Sequence, residues 1–538
     1  MTGVGRRASI DLSPMNALNR YVLRAAGVAL TLVGVLPNSS SAQRPGLYDG
    51  LDSYIEAAMK EWKIPGVAVG IVRNDSVVFA KGFGVRTLGK PEKVDTHTLF
   101  AIASDTKAFT GILMAMLVDD GKIRWDAPLT TYLPTLRFGD DFLTRELTVR
   151  DALTHRSGLA RADLLWTAGW TYDRAELLRR LRYLKPSWNL RSRYGYSNLM
   201  YLAAGEAGAA AVGQSWDTLM RERIFTPLGM SETNTSVTLL SSLANVASPH
   251  SEVDSTVRVV PYTNIDAAAS AGAINSNIVD MTRWLRFQLD SARVGGKRLV
   301  SKRNFIETHT PQTVMRLDST YRAFNPFTHV RSYAFGWQVM DYRGREMLSH
   351  AGNLAGMNAM VGLMPEERVG VVVLTNLDGN ALRESIMYKV FDMSVGAPPR
   401  DWSRVSLIEK ASFDSIDEKD RRETLAKRVT GTRSSLPLER YAGTYRDSLY
   451  GTAIVKMENG RLVLDVAPKM IGDMEHWHYD TFRVVWRDHR DGTNLVTFAL
   501  DVDGKVDTMS ADVGGPPEET PRMKRVSDST ERTSSNGK

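Results

Sequence analysis

Three short stretches carry residue types whose spacing could do chemistry. The first is Ala103-Ser104-Asp105-Thr106-Lys107, directly ahead of the apolar run Gly111-Ile112-Leu113-Met114-Ala115-Met116-Leu117-Val118. That run is expected to be helical, with Ser104 in its first turn. Residues three apart share a helix face, so hydroxyl and amine can meet. A serine hydroxyl needs a neighbouring base to become a nucleophile, and a lysine serves when burial disfavours its charge. The helix N-terminus adds backbone N–H groups for a developing oxyanion. The plain alternative is a serine N-cap followed by a surface lysine. A second Ser-x-x-Lys, Ser535 to Lys538, lies in a polar tail with no apolar helix behind it and is expected to be disordered. The second stretch is Tyr196-Ser197-Asn198, at the mouth of an apolar helix, and the third is His350-Ala351-Gly352-Asn353, closing a strand ahead of Gly356.

The elements that must position these residues read as α+β. An amphipathic helix is expected from Tyr48 to Lys60, with Leu51, Ile55 and Met59 on one face. Val67–Val72 and Ser76–Ala80, joined by Asn74-Asp75, form a hairpin. A mainly helical insert spans roughly residues 120–300, punctuated by Pro128, Pro134, Pro186 and Pro227. Strands return at Phe335–Met340, Glu346–His350, Ala359–Met364 and Val369–Asn376, and a helix from about Asn380 to Phe391 closes the unit. Strands at both ends imply one antiparallel sheet flanked by helices, with an all-helical insert lobe and a cleft between them. This domain is assigned residues 47–400, followed by a charged linker helix within 401–435 (Asp417 to Lys427). Residues 436–528 change to short strands and turns, an antiparallel β barrel or sandwich, and 529–538 form the disordered tail. Nothing in the β domain chooses between capping the cleft, binding cell wall and mediating oligomers.

Other motifs read as structure. Gly82, Gly84 and Gly89 lack the spacing and the following helix of a nucleotide loop, so they mark a strand end and a turn. His155, in a short helix ending at Gly158, reads as a satisfied buried histidine, and His476 and His478 as a solvent-facing strand pair without a third metal ligand. Asp501-Val502-Asp503-Gly504 lacks the later calcium ligands and reads as a hairpin turn. Tyr262-Thr263-Asn264 repeats Tyr-x-Asn in surroundings that do not match. No cofactor or metal is expected.

Composition bounds the rest. The chain has 538 residues, enough for two or three domains, with 43% hydrophobic and 24% charged residues, as in a soluble globular protein. It has no cysteine, hence no disulfide and no thiolate metal site. Arg20 and Arg24 precede the apolar segment Ala25–Leu36, and Pro37–Ala42 supplies the small residues of a cleavage site. Residues 1–42 are therefore expected to be a signal peptide, with Met1 or Met15 as the start, and the mature protein periplasmic or secreted. Those residues hold Arg6, Arg7, Arg20 and Arg24 against Asp11, so their removal lowers the net charge from +7 to +4. Basic residues are scattered, which argues against nucleic acid. No other stretch reads as an integral membrane segment.

Taken in order, the three motifs make the chain resemble the serine β-lactamase and penicillin-binding-protein superfamily. Tyr-x-Asn and His-x-Gly are similar to the branch of class C β-lactamases, D-aminopeptidases, carboxypeptidases and esterases. Ile64–Val69, Leu153–Leu159 and Ala271–Ile274 look like further family landmarks, and Leu438–Tyr445 and His478–Phe482 resemble an attached accessory domain. The resemblance implies Ser104 as the acylated nucleophile and Lys107 as its partner. Tyr196, as phenolate or in a shared-proton network with Lys107, would protonate the leaving group and then activate the deacylating water. Asn198 would bind a substrate amide, and His350 would line the opposite wall. Gly352 belongs to that wall, and the N–H groups of Ser104 and Asn353 would form the oxyanion hole. Other branches place a lysine where His350 stands, and a histidine near its ordinary pKa is mostly neutral at pH 7. Weaker carboxylate recognition is then expected, favouring esters and D-amino-acid amides or peptides over β-lactams. The alternative is a catalytically weak protein that captures penicillin or peptidoglycan fragments. Oligomeric state is open.

Overall fold

The computed structural model describes residues 46–169, 171–511 and 520–526; the segment expected to be a signal peptide and the tail bearing Ser535 lie outside the described residues. Helix α1 (Leu51–Trp62) starts after Gly50 and buries Leu51, Ile55, Met59 and Trp62. It packs on one face of an eight-stranded antiparallel sheet. The sheet runs Ser76–Gly84, Gly66–Arg73, Val369–Thr375, Met357–Met364, Arg345–Leu354, Gln338–Tyr342, Arg331–Tyr333, Thr313–Val314. The first hairpin turns through Asn74 and Asp75, both left-handed, and its inner strand pairs Val67 with Thr375. The sheet is thus assembled from both ends of the domain. Apolar runs such as Val369–Thr375, buried at every position, fit a strand covered on both faces.

Helix α2 (Thr106–Asp119) lies on the other face, almost wholly buried, with Phe109 stacked on Trp284 at 3.7 Å between ring centres. The insert is mainly helical; the hairpins His250–Val253/Thr256–Val259 and Arg293–Val294/Lys297–Arg298 interrupt it. Two expected boundaries move for physical reasons. The strand anticipated at Phe335 begins at Gln338, because Gly336 adopts φ 84° against the backbone of Lys107 and Ala108, where a Cβ would lie 2.4 Å away. The short helix ahead of His155 ends at Leu153, and His155 itself takes φ 55°.

Beyond the sheet, one helix runs from Trp402 to Ala426, longer than the expected Asp417–Lys427 segment. Its first turns bury Trp402, Ser403 and Ser406; beyond them it is largely exposed and braced by pairs such as Lys410–Asp414 and Glu418–Arg422. The C-terminal strands close into an eight-stranded barrel, Gly443–Asp447 pairing with Arg522–Arg525. His476 and His478 sit half-buried on one barrel strand, and Asp501 caps a hairpin turn through its bonds to Asp503 and Lys505. The barrel rests on the insert. Lys469 N donates to Ala168 O at 3.1 Å, Arg180 Nη1 donates to Leu449 O at 2.6 Å, and His489 lies 3.2 Å from Asp254.

Candidate active site

Ser104 lies in a 3₁₀ turn, Ala103–Asp105, that leads into α2. Ala103 holds φ 48°, a strained conformation for a residue with a Cβ. The turn presses against the strand bearing His350, where a Cβ on Gly352 would lie 2.0 Å from Ile102 O. Only glycine admits that approach. Ser104 caps nothing with its side chain; its hydroxyl is committed to two neighbours. Lys107 Nζ stands 3.0 Å from Ser104 Oγ, and Tyr196 Oη donates to the same oxygen at 2.8 Å.

Lys107 is completely buried, so it is no surface lysine. Burial drives its pKa well below the ordinary lysine value, opposed first by the charge of Asp163. Its nitrogen also reaches Asn198 Oδ1 at 2.8 Å and Ala271 O at 2.7 Å. A neutral amine has two N–H donors and one lone pair. The two carbonyl oxygens take the donors, which leaves the lone pair for the serine hydroxyl.

Tyr196 is clamped from both sides. Gly195 N donates to His155 O at 2.7 Å, and Ser197 N donates to His155 Nδ1 at 3.1 Å. The His155 ring lies 4.3 Å from the Tyr196 ring. His155 is buried, as the sequence suggests, yet its Nε2 has no hydrogen-bond partner and its place is against Tyr196. Upstream, Arg191 and Arg156 bind the fully buried Asp151 at 2.7 and 2.6 Å, and Asp151 also completes a capping box with Thr148. Burial raises the Tyr196 pKa, so the resting group is a phenol and not a phenolate.

His350 is buried and donates from Nδ1 to Ala351 O at 3.0 Å, while Nε2 faces Tyr333 Oη at 3.0 Å. Burial, then the Lys107 charge, pushes its pKa down to about 3, so the imidazole is neutral. Asp105 lies 3.8 Å from it, but burial raises that carboxyl, and two neutral groups form no ion pair. Ser104, Tyr196, Asn198, His350 and Asn353 line one cavity of about 380 Å³. Lys107 lies behind its wall, and Gly352 under the nucleophile turn.

The sequence reading missed three residues around this cavity. Asp163 accepts from Asn198 Nδ2 at 3.1 Å. Arg331 lines the cavity and bonds only the neutral Gln338 Oε1, at 3.0 and 2.6 Å; no carboxylate among the described residues pairs with it. Trp166 lines it too, beside the barrel. A cleft of about 1330 Å³ between barrel and insert shares Arg161, Trp166, Asn353 and Leu354 with the cavity.

A family profile described as Beta-lactamase matches residues 51–390, more than half of the chain. The chain belongs to the beta-lactamase family. Its C-terminal residues 427–527 match a domain of unknown function, DUF3471, which here is the accessory barrel. Among relatives in the beta-lactamase family, the unguisins hydrolase ungD of Aspergillus violaceofuscus is 28% identical over 81% of this chain and 79% of its own length. Protein flp of Staphylococcus aureus strain COL is 24% identical over 61% of this chain and 63% of its own. The octameric penicillin-binding protein homologue from Pyrococcus abyssi shares the fold (TM-score 0.57, 19% identity, 88% of this chain and 99% of that one). So does SurE (TM-score 0.52, 17% identity, 89% and 99%). This beta-lactamase-family chain is a serine hydrolase. No helix among its described residues is long and apolar enough to cross a membrane.

Proposed function

We propose that the protein is an exported hydrolase that cleaves a peptide or amino-acid amide bearing an anionic group, through an ester on Ser104. The observation that carries this reading is the Ser104 hydroxyl held between buried Lys107 Nζ at 3.0 Å and Tyr196 Oη at 2.8 Å, in an open cavity. Lys107 takes the hydroxyl proton as Oγ bonds to the substrate carbonyl carbon, and the N–H groups of Ser104 and Asn353 receive the oxyanion. The Tyr196 phenol gives its proton to the leaving amine as the C–N bond breaks. The new Lys107 cation, 4.8 Å from the Tyr196 ring, stabilises the resulting phenolate. That phenolate takes a proton from the deacylating water, and Oγ recovers its own from Lys107 as the ester breaks. Both groups end as they began.

Arg331 supports the anionic specificity. With His350 neutral, Arg331 supplies the cavity's uncompensated cation, and a guanidinium pairs with a carboxylate in a forked geometry. Beyond Arg331 and Gln338 lies a chamber of about 520 Å³ walled by Tyr321, Tyr388 and Trp402, able to take a bulky substituent. The leader in residues 25–42 supports export, and the 28% identical unguisins hydrolase supports hydrolysis as the reaction class. The test compares the protein with Ser104→Ala on a succinyl-D-alanine nitroanilide, whose succinyl carboxylate supplies the anionic group, a nitrophenyl ester and a reactive cephalosporin. Serine-dependent turnover of the anilide is expected. Acylation without turnover on all three would replace the hydrolase with a penicillin- or peptidoglycan-fragment-capturing protein.

A further inference from the structure

An asparagine amide has two chemically different ends, and the end facing Lys107 decides what the lysine can do. Asn198 Oδ1 accepts from Lys107 Nζ at 2.8 Å, while Asn198 Nδ2 donates to Asp163 Oδ1 at 3.1 Å. A carboxylate only accepts, so Asp163 can engage only the NH₂ end of the amide. A reversed amide would set its oxygen against the Asp163 carboxylate and its NH₂ against the lysine, and would consume the lone pair meant for Ser104.

We propose that Asp163 is a positioning residue for the catalytic base, orienting Asn198 and through it the Lys107 lone pair toward Ser104. The inference rests on the hydrolase reading above. Asp163 is itself fixed by Arg161 Nε at 2.7 Å and Trp166 Nε1 at 3.1 Å. The segment carrying it continues to the barrel, where Lys469 N donates to Ala168 O at 3.1 Å and the Lys469 stem covers Gly169. The accessory barrel therefore buttresses the segment that sets the base. Nothing in the Ser-x-x-Lys spacing points to this connection.

Asp163 also acts through its charge. The charged groups facing Lys107 are Asp163, which favours the ammonium, and Arg161, which disfavours it; Asp105 also faces it, but its buried carboxyl is held protonated. His155 and His350 are held neutral by burial, and the rings of Tyr196 and Tyr201 lie 4.8 and 5.3 Å from Nζ. Removing the Asp163 charge lowers the affinity of Lys107 for its proton. Because the neutral amine is the active form, the acid limb of the kcat/KM profile must then move to lower pH.

Two variants separate orientation from charge. Asp163→Asn keeps an acceptor for Asn198 Nδ2 and is expected to shift the acid limb to lower pH, with plateau kcat within about fivefold of the parent. Asp163→Ala frees the amide and is expected to lower kcat by about 10- to 100-fold with KM little changed. Serine-dependent turnover by the parent protein is established first, so its absence counts against the hydrolase reading alone. If the parent turns over while Asp163→Asn leaves the acid limb in place and a folded Asp163→Ala keeps its kcat, the inference is overturned. If Asp163→Ala fails to fold, the pH profile of Asp163→Asn decides.

Discussion

Gly352→Ala should disable the site without touching any group that takes part in the chemistry. The added Cβ would lie 2.0 Å from Ile102 O, against a minimum near 3.0 Å for real contacts of this kind, so something must recoil by about 1 Å. The strand yields little, because Gly352 is paired with Ala359 within the sheet. The turn is the softer side, though Ile102 N is tied to Ile274 O at 3.0 Å and Ala103 already holds φ 48°. Ser104 follows Ile102 by two residues. A recoil of about 1 Å carries its Oγ beyond hydrogen-bond reach of Lys107 or Tyr196, now at 3.0 and 2.8 Å. Misplacement of that size costs about 100-fold, or about 2.7 kcal/mol of barrier. Overpacking costs a further 1–3 kcal/mol or so of stability. The assay is kcat on whichever chromogenic substrate the parent turns over, with a denaturant melt alongside. A variant within threefold of the parent, with an unchanged melt, would refute the claim that this contact aims the nucleophile.

Tyr196→Phe keeps the ring against His155 and removes the proton donor, so kcat/KM should fall by about 10²- to 10⁴-fold with an unchanged melt. Asp151→Ala removes the charge-assisted bonds of Arg156 and Arg191 and the Thr148 capping box, and should cost about 1–3 kcal/mol in denaturant unfolding, since both arginines keep access to water. Arg331→Gln should raise KM roughly 10- to 100-fold for carboxylate-bearing substrates and leave neutral esters unaffected, as read from paired kinetics.

Local signals made much of this architecture legible. Continuous apolar runs disclosed the central strands, and the polar turn Asn74-Asp75 disclosed the first hairpin, because both depend on neighbours in the chain. The Ser-x-x-Lys, Tyr-x-Asn and His-x-Gly motifs likewise announce residues that the fold brings around one cavity. Barrel closure was not legible: it depends on Tyr445 meeting Arg525, and a sandwich would use the same strands and turns. Nor was the start of the strand at Gln338, since Phe335-Gly336-Trp337 is apolar enough to extend and only the backbone of Lys107 forbids it. Asp163 and Arg331 gave no periodic signal either. One is distinguished by an amide 35 residues away, the other by a neutral Gln338 partner where a carboxylate could have paired, and both facts belong to tertiary structure.

The pairing of Val67 with Thr375 has a consequence for how the chain is made. The strands Gly66–Arg73 and Ser76–Gly84 leave the ribosome long before Val369–Thr375, which must pair with the inner one. At about 5–20 residues per second, the intervening stretch of roughly 285 residues takes some 15 to 60 s to synthesise. Throughout that interval the apolar strand Gly66–Arg73 has one unsatisfied edge, the kind of surface that recruits foreign strands. The nascent chain therefore carries an apolar strand with one edge unpaired for about half of its synthesis, and its yield should depend on holding factors that bind this early segment.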